Sequence, residues 1–546
     1  MVFKNKFILA TLIIFSALSV VAFFHSGLPI THDGQDHVAR IANFYQSLIE
    51  GNLIPRWAAN LNWGYGHPIL EFLYPLPSYF ASFFHLVGFS LVDSTKIVYG
   101  LGMVLSLFFM FLWLKQFLGK EPALLGAFLY TYAPYRFVDL YVRGDIGENL
   151  AFAFAPLVLY FIYKIYKKSD IKYSLSGSLS LALLILAHNA IALITMPFIF
   201  FYSLYLLYLS KNRKSLITNL SSLIILGFAL SAFFWVPGLL EAKYTLRNIV
   251  TKGGYVNSFV SFKALVYGPW NYGGSGVFTQ QLGIIQWLAL ILSPVLAFAL
   301  WLKRDKNFLL TVACLLYTLL AIFLMLPISN FLWTKIMLLQ NLQFPWRFLA
   351  ITVFSTAVLA ALTINRIPKK LQLITVLILI AIVLFVSKDY LKAKDYLYKP
   401  PSFYTGIYDS TTDTGESSPI WSVRFMEHTP KTHLEVLDGK ATVKEIERTS
   451  TNHLYAANAT KKTLFAENTL YFPGWQILAN GTPVAIQFQD PHYKGIMTFK
   501  LNPGTYRIQA VYHETKLRFV CDLLSLISLI TLVSVLSFEF VKRRPS

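Results

Sequence analysis

Cysteine is almost absent from this chain. Only Cys314 and Cys521 occur, and both lie in apolar segments. A disulfide framework needs several paired cysteines, and a cysteine-based metal site needs clustered ones. Both classes of structure are therefore excluded as the basis of the fold.

Charge is also scarce, and acidic charge is scarcer than basic. Only 14% of the 546 residues are charged, 55% are hydrophobic, and the mean hydropathy is +0.54. Such a composition is typical of an integral membrane protein and not of a soluble one. The net charge of +20 does not indicate nucleic-acid binding, because most of the basic residues flank apolar segments. There they act as topology signals and contact anionic membrane lipids.

Apolar runs without charge recur along the chain at lengths close to the ~20 residues that cross a bilayer. They predict about 12 crossings in the whole chain, most of them in a polytopic α-helical membrane domain, residues 1–387, and the last in a C-terminal helix. Basic clusters at Lys4/Lys6, 164–172, 211–214, 303–306, 366–370 and 542–544 then face the cytoplasm together. The segments 25–68, 136–147, 188–189, 237–281 and 328–347 lie outside.

Two segments complicate this topology. Residues 1–24 resemble a signal peptide, but the apolar run is long and no small-residue cleavage site follows, so a retained helix is favoured. Residues 69–92 contain two prolines and would make the number of crossings odd. We therefore expect an interfacial or re-entrant piece there.

Residues 388–518 break the hydrophobic pattern. They contain no membrane-length run, and alternating segments such as "GIMTFKLNPG" and "TYRIQAVYHE" are punctuated by Gly, Pro and Asn. This pattern predicts strands joined by turns. We expect an extracytoplasmic β-sandwich, followed by a C-terminal transmembrane helix and basic cytoplasmic tail at 519–546.

The stretch "THDGQDHVAR" (31–40) gathers acids and histidines directly after the first apolar run. Carboxylates near a membrane need water, a cation or a proton partner, which makes them functional candidates. Asp33 suits a general base or a cation ligand. The alternative is structural, with Asp33 or Thr31 capping the following helix, and the two interpretations are compatible. His32 and His37 lack a third His or Cys nearby, which disfavours zinc.

Three further groups fall in predicted outer loops. Arg136 and Arg143 lie beside Asp139, Asp145 and Glu148 in "PYRFVDLYVRGDIGENLAF", where the arginines suit phosphate and the acids suit a cation. A solvated loop of mutual ion pairs explains the same pattern. His188 occupies a tight helical turn, and Arg347 in "LQFPWRFLA" enters a helix at the interface, where it can hold a phosphate or serve as an anchor beside Trp346.

These residues carry a family resemblance. "THDGQDHVARIANFYQSLIEGNLIPRWAANLNWGYGHPILEFLYPLP", "YAPYRFVDLYVRGDIGENLAFAFAPL", "LQFPWRFLA" and "YFPGWQILANG…LNPGTYRIQAVY" resemble YfhO-like proteins and the related 6-pyruvoyl-tetrahydropterin-synthase-related membrane proteins. The pterin label is misleading, because that enzyme needs a His-x-His zinc site and none of the 11 histidines has this spacing. Both families are similar to the GT-C glycosyltransferases.

The resemblance implies an inverting GT-C glycosyltransferase that uses a polyprenyl-phosphate-linked sugar and a lipid or glycan acceptor on the outer face of the cell membrane. Asp33 occupies the place of the family's catalytic acidic residue. Asp145 or Glu148 occupies the place of a second acidic residue, which in some relatives binds a divalent cation such as Mg²⁺ or Mn²⁺. The predicted substrate-binding residues are Arg347, Arg143, Arg136, His188, His37 and Arg56. The alternatives are a lipid or polysaccharide transporter and a non-catalytic assembly protein of the envelope glycan.

Overall fold

Long helices dominate the chain up to residue 386, as expected where no water is available to bond the backbone. The computed structural model describes residues 2–273 and 277–542. The helices of this region are Val2–Ser19, Gly34–Ile49, Ile69–Phe72, Leu76–Leu86, Leu91–Leu114, Lys120–Thr131, Pro134–Val138, Ile146–Lys167, Ile171–Ala187, Asn189–Leu209, Arg213–Leu230, Ala232–Leu240, Arg247–Val250, Phe262–Val266, Ile284–Leu302, Phe308–Met325, Asn330–Lys335, Met337–Gln340, Leu349–Ile364 and Lys369–Val386.

The multi-pass character is confirmed, but the count of about 12 is not. Within residues 2–273 and 277–542, 9 helices are long and apolar enough to cross a membrane, including the C-terminal helix Lys516–Lys542. Two shorter apolar helices, Ile8–Ser19 and Ile171–Ala187, correspond to further predicted crossings. The remaining one, Lys120–Thr131, has only 12 residues and is packed inside the protein. Residues 543–546 of the basic tail lie outside the described range.

The proline-containing segment 69–92 forms no long helix, in line with the sequence prediction. It folds as Ile69–Phe72 and Leu76–Leu86, with Pro75 and Pro77 at the start of the second helix. Proline is tolerated there because the first amides of a helix have no intrahelical partner. The next long helix begins only at Leu91.

The loops segregate to two ends of the helical bundle as the charge pattern predicts. At one end, the predicted cytoplasmic segments meet: Arg366 pairs with Asp305 at 2.6 Å, and the Tyr205 hydroxyl donates to the Lys306 carbonyl. At the other end, the predicted outer loops converge on one cavity. The separation into two ends is observed, whereas the assignment of inside and outside stays a prediction.

Strands make up most of residues 434–512, and two short strands lie earlier in the chain. In chain order the strands are β1 Leu28–Pro29, β2 Tyr396–Leu397, β3 Leu434–Asp438, β4 Ala441–Arg448, β5 Asn452–Ala459, β6 Thr463–Leu470, β7 Trp475–Ala479, β8 Thr482–Val484, β9 Ile496–Leu501 and β10 Gly504–Tyr512. A five-stranded antiparallel sheet, β4-β5-β10-β7-β8, accompanies a three-stranded one, β3-β6-β9. Phe465 and Phe499 of the smaller sheet share a core with Tyr455, Ile477 and Ile508 of the larger one, which makes this a sandwich.

The first outer loop contributes to the core of the β-sandwich. Trp57 is 1% exposed and packs on Trp475 and Tyr512, with ring centroids 5.5 and 5.7 Å apart. Tyr65 belongs to the same core, and its carbonyl accepts the amide of Leu470. The sandwich therefore draws part of its hydrophobic stabilisation from residues ~400 positions earlier in the chain.

Residues 388–433 precede the long strands of the sandwich and tie it to the helical bundle, and Met426 is buried in the sandwich core. Here β2 pairs with β1, and the short helix Pro401–Thr405 follows. Residues 408–418, which we term the strap, then cross the end of the bundle where the predicted outer loops converge. The amides of Asn62 and Trp63 donate to Ser410 and Tyr408, and the amide of Leu246 donates to Ser418. The strands of the sandwich thus begin 46 residues after the predicted boundary at 388.

Candidate active site

A cavity of about 550 Å³ opens at the end of the bundle where the predicted outer loops converge. Its walls come from seven separate segments, including the first loop, the turn after Arg143, and the strap. The charged and histidine residues that line it are His32, Asp33, Asp36, His37, Arg40, Arg143, Asp145, His188, Arg247, Arg347, Asp413 and Glu416. Asp33, Arg143, His188, His37, Arg347 and Asp145, all predicted as site residues, are thus brought together.

Asp33 presents a carboxylate without a partner to this cavity. Its backbone amide donates to the Arg143 carbonyl at 2.8 Å, which fixes its position, yet its carboxylate accepts no hydrogen bond from the described residues. The expected capping role belongs to Thr31, whose hydroxyl accepts the Gly34 amide at 3.0 Å. Burial raises the pKa of Asp33 to about 6, against the opposing charges of Arg40 and Arg143. A carboxylate of this kind is suited to take up a proton near neutral pH.

Gly144 allows this close approach of two loops. Its φ of 71° lies in the left-handed region, and a Cβ placed there would come within 2.2 Å of the Thr31 hydroxyl. Glycine avoids both the steric contact and the conformational cost. The backbone that holds Asp33 therefore depends on this residue.

Asp36 also lines the cavity, but it has a structural partner. The Tyr408 hydroxyl of the strap donates to Asp36 Oδ1 at 2.8 Å, and Gln35 Nε2 donates to the same hydroxyl at 2.7 Å. Asp36 lies in the first turn of the helix Gly34–Ile49, where a negative charge interacts well with the helix dipole. Its position is explained without a chemical role.

Arg143 is held by three carboxylates. Nη1 lies 2.5 Å from Asp139 Oδ1 and 2.9 Å from Glu148 Oε2, while Nη2 lies 2.9 Å from Asp145 Oδ2. The guanidinium also lies over the Trp346 ring, 4.6 Å from its centroid. The predicted alternative of mutual ion pairs is therefore present, although the network is buried rather than solvated.

Among the described residues, one group could supply metal ligands: Asp145, Glu148 and His188. One ligand atom from each of the three lies within 4.8 Å of the others. Their oxygens are already occupied. Asp145 Oδ1 accepts from the Tyr74 hydroxyl, Glu148 Oε1 accepts from the Tyr135 hydroxyl, and Arg143 takes the other two oxygens. Arg143 thus supplies the positive charge that a dication would bring. This donor set does not fit a divalent cation unless Arg143 moves.

The ionisation of Asp145 and His37 follows from their neighbours. Burial opposes the charged form of Asp145, but His188 and Arg143 outweigh it and hold its pKa well below the usual range. Burial and Arg40 lower the pKa of His37, so its imidazole is neutral near pH 7. Asp145 is therefore a fixed anion, and His37 offers a neutral ring to a substrate.

Two arginines on the cavity wall keep guanidinium nitrogens available. Arg347 is 8% exposed; its Nη1 donates to the Leu342 carbonyl, and its buried Nε lies 3.7 Å from Glu148 Oε2. Its Nη2 makes no hydrogen bond to the described residues. Arg247 is half-buried, and its side chain makes no hydrogen bond to the described residues. Both can bind a phosphate oxygen.

Two predicted substrate-binding residues lie elsewhere. Arg136 is fully buried in the helical bundle; Nη2 donates to Ser106, and the guanidinium stacks 3.9 Å from the Phe152 ring centroid. Arg56 is buried in an ionic cluster with Glu71, Glu514 and Asp522 that joins the first loop to the C-terminal helix. Neither lines the cavity, and the predicted substrate contact of each stays a prediction.

The strap supplies the wall that the sequence did not reveal. Thr412 accepts from Arg40 Nε at 2.8 Å, and Glu416 accepts from Gln343 Nε2 at 2.8 Å. Asp413 accepts the amides of Gly415 and Ser417, and its Oδ1 lies 3.5 Å from the Nε2 of buried His67. The signal was a long polar stretch, "YDSTTDTGESS", without predicted strands, a pattern that often marks a functional loop.

The fold and this cavity define a multi-pass membrane protein with a polar, ionisable site at one end of its helices. Residues 70–393 match the family described as "6-pyruvoyl-tetrahydropterin synthase related domain; membrane protein". The match covers more than half of the chain, which therefore belongs to this family. The resemblance found in the sequence and the membrane location are confirmed.

One relative is an uncharacterized protein of Lactococcus lactis subsp. cremoris (strain MG1363), 28% identical over 260 residues. The match covers 45% of this chain and 42% of that relative's length.

Solved structures show weaker likeness. The Archaeoglobus fulgidus oligosaccharyltransferase in its apo form has a TM-score of 0.43 at 14% identity, covering 77% of this chain and 62% of its own. The same enzyme in complex with Zn and sulfate has a TM-score of 0.44 at 16% identity, and the match covers 74% of this chain and 58% of that one. The arabinofuranosyltransferase AftD from Mycobacteria has a TM-score of 0.43 at 14% identity, and the match covers 70% of this chain and 26% of that one. Likeness at this level carries no argument about function.

Proposed function

We propose that this protein is a GT-C-type membrane glycosyltransferase. It transfers a sugar from a polyprenyl-phosphate-linked donor to a cell-envelope acceptor on the outer face of the membrane. One observation carries the proposal: the unpartnered Asp33 carboxylate shares a cavity with Arg347 and Arg247, whose guanidiniums are available to an anion. A base and a phosphate site in one cavity are what transfer from a phosphate-linked donor requires.

The reaction follows from these roles. Asp33 accepts the proton of an acceptor hydroxyl, and the oxygen of that hydroxyl bonds to the anomeric carbon of the donor sugar. The bond from that carbon to the phosphate oxygen breaks, and the phosphate leaves with the bonding electron pair. Arg347 and Arg247 stabilise the negative charge that develops on this leaving group. Inversion at the anomeric carbon follows from single displacement.

Arg143, Asp145 and Glu148 act as positioning residues in this scheme. Their buried network fixes the backbone carbonyl of Arg143, which binds the Asp33 amide. His188 and His37 face the cavity beside this network and are available to substrate hydroxyls. The proposed mechanism has no step through a divalent cation, because Arg143 occupies the oxygens that would bind it.

A lipid-linked donor suits the surroundings of the cavity. Arg247 lies in the short helix Arg247–Val250, and the short helix Met337–Gln340 precedes Arg347. Both helices have exposed apolar side chains: Ile249 and Met337 are each 66% exposed. Exposed apolar surface of this kind at a membrane boundary contacts lipid. A polyprenyl chain can stay in the bilayer while its phosphate and sugar reach the arginines.

The test is mass spectrometry of lipid-linked sugars and envelope glycans in cells that lack the gene. We expect a polyprenyl-phosphate sugar to accumulate and a glycan modification to disappear. The wild-type gene should restore both, and a gene encoding Asp33→Asn at normal protein level should restore neither. Unchanged lipid-linked sugars and glycans in the deletion strain would contradict the proposal.

A further inference from the structure

We propose that an aromatic group beside the cavity is a second carbohydrate subsite, which binds the acceptor chain beyond the sugar that reacts. The aromatic group comprises Tyr244, Trp421, Tyr471 and Phe488. This inference rests on the proposed function only in taking the acceptor to be a glycan, and binding to the subsite does not require transfer.

The four rings come from separate parts of the chain and contact one another. Tyr471 and Phe488 are stacked, with centroids 3.6 Å apart and an interplanar angle of 12°. Trp421 lies 4.9 Å from Phe488 and 5.4 Å from Tyr471, nearly edge-on to both. Tyr244 stacks on Trp421 at 5.9 Å and 26°. Such contacts hold the rings in a fixed arrangement before any ligand binds.

The aromatic group lies at the edge of the hydrophobic core and not within it. Tyr244 and Tyr471 border the core of the β-sandwich, whereas Trp421 and Phe488 contact chiefly these two tyrosines and each other. All four side chains are half-buried, so part of each ring remains accessible. Rings gathered at a surface without completing a core are candidates for ligand contact.

Two neighbouring segments of the chain, one at residues 244–245 and one at 417–421, connect the cavity to the aromatic group. Thr245 and Ser417 line the cavity. Thr245 forms an isolated β-bridge with Pro419, and the amide of Ile420 donates to the Tyr244 carbonyl at 2.9 Å. Tyr244 and Trp421 therefore lie next to the rim of the cavity. A glycan chain that leaves the cavity between these two segments meets the rings.

The chemistry of the surface fits carbohydrate. The C–H faces of sugar rings pack on aromatic rings, while hydroxyls need hydrogen-bond partners at the margin. Gln487 and Gln489 flank Phe488 and are exposed. Gln487 Oε1 accepts the amides of Phe488 and Gln489 at 2.8 and 2.9 Å, and its side-chain N–H groups donate to none of the described residues. They are free to donate to a hydroxyl.

The test measures binding of purified full-length protein carrying Asp33→Asn to a printed panel of oligosaccharides, from disaccharides to octasaccharides. Phe488→Ala and Trp421→Ala are added to this background. Phe425→Ala is the matched control, because Phe425 is 44% exposed and lies outside the aromatic group. We expect both group variants to weaken binding of the longer chains about ten-fold, with the control unchanged.

Phe488→Tyr should retain binding, which separates loss of stacking from misfolding. The proposal is overturned if no oligosaccharide binds the parent protein, or if Phe488→Ala and Trp421→Ala bind the longer chains as it does. It is also overturned if these variants lose affinity only for phosphatidylglycerol vesicles, since the rings would then anchor the protein to lipid. Weaker binding of the longer chains by Phe488→Ala and Trp421→Ala supports the subsite even where no transfer is detected.

Discussion

At the scale of single residues, Asp33 and Asp36 provide a controlled comparison, because both line the cavity but, among the described residues, only the Asp36 carboxylate has a hydrogen-bond partner. Asp33→Asn removes the base and should lower transfer about 10²–10⁴-fold without preventing insertion. Asp36→Asn keeps an oxygen for the Tyr408 hydroxyl and should retain most activity. The transfer rates of the two variants, measured at equal protein level, show which of the two acids is the base. Equal loss would mean that the acids act as a pair, and equal retention that the site lies elsewhere.

The pKa of Asp33 near 6 predicts a pH dependence. The base must be deprotonated, so kcat/KM should rise with pH up to about 6 and level off above it. Because burial raises this pKa, the fold favours the protonated form, and that contribution to stability is lost as pH rises through about 6. Asp33→Asn should therefore be no less stable than wild type at pH 8. A pH-independent rate between pH 5 and 8 would exclude Asp33 as the base.

Removal of metal ions should leave transfer unchanged. The oxygens of Asp145 and Glu148 are taken by Arg143, Tyr74 and Tyr135, which leaves no open ligand set beside His188. The measurement is the transfer rate after dialysis against EDTA, with and without added Mg²⁺ or Mn²⁺. A loss that either ion restores would show that Arg143 moves aside to admit a cation.

At the scale of structural elements, the β-sandwich depends on the first outer loop. Trp57 is buried against Trp475 and Tyr512, so Trp57→Ala should destabilise the sandwich by about 3–5 kcal/mol. Pulse proteolysis in urea should show an earlier midpoint for the segment 434–512. Leu53→Ala is the control, because Leu53 lies in the same loop and is 77% exposed. A shared midpoint for wild type and Trp57→Ala would mean that the sandwich folds without the loop.

The sequence predicted the elements whose signals are local. Charge-free runs predicted the long helices, basic clusters predicted which loops meet at each end, and alternating residues predicted the strands. Asp33, Arg347 and His188 were predicted because polar residues at membrane boundaries are conspicuous. The role of the strap was not predicted, because Tyr408 meets Asp36 across 372 positions and nothing in either segment encodes that contact.

The positions of Arg136 and Arg56 away from the cavity could not be predicted for the same reason. Arg136 and Arg56 look like phosphate ligands from sequence, since a basic residue in an outer loop has the right charge. Whether its guanidinium points into a cavity or into a buried cluster depends on distant partners, here Ser106 for Arg136 and Asp522 for Arg56. Arg247 was missed for the complementary reason, because its surrounding sequence has no distinctive pattern.

At the scale of the whole molecule, the proposal requires the cavity to face away from the cytoplasm. Leu53 is 77% exposed in the loop that carries Asp33, and both native cysteines are buried. A Leu53→Cys variant should react with an impermeant maleimide in intact cells, after permeabilisation of the outer membrane in a Gram-negative host. The parent protein is the background control. Labelling only after lysis of the inner membrane would reverse the topology and contradict an outward-facing site.

The strap also determines when, during synthesis, the wall of the cavity is complete. Asp33 emerges near the start of synthesis, but Thr412 and Glu416 complete the cavity wall nearly 400 residues later. A chain whose later part has not been translocated has the base and lacks the opposite wall. Under the proposed function, nascent or truncated copies in the membrane would lack the wall opposite the base and would not consume lipid-linked sugar. Completion of the chain would then set the moment at which catalysis begins.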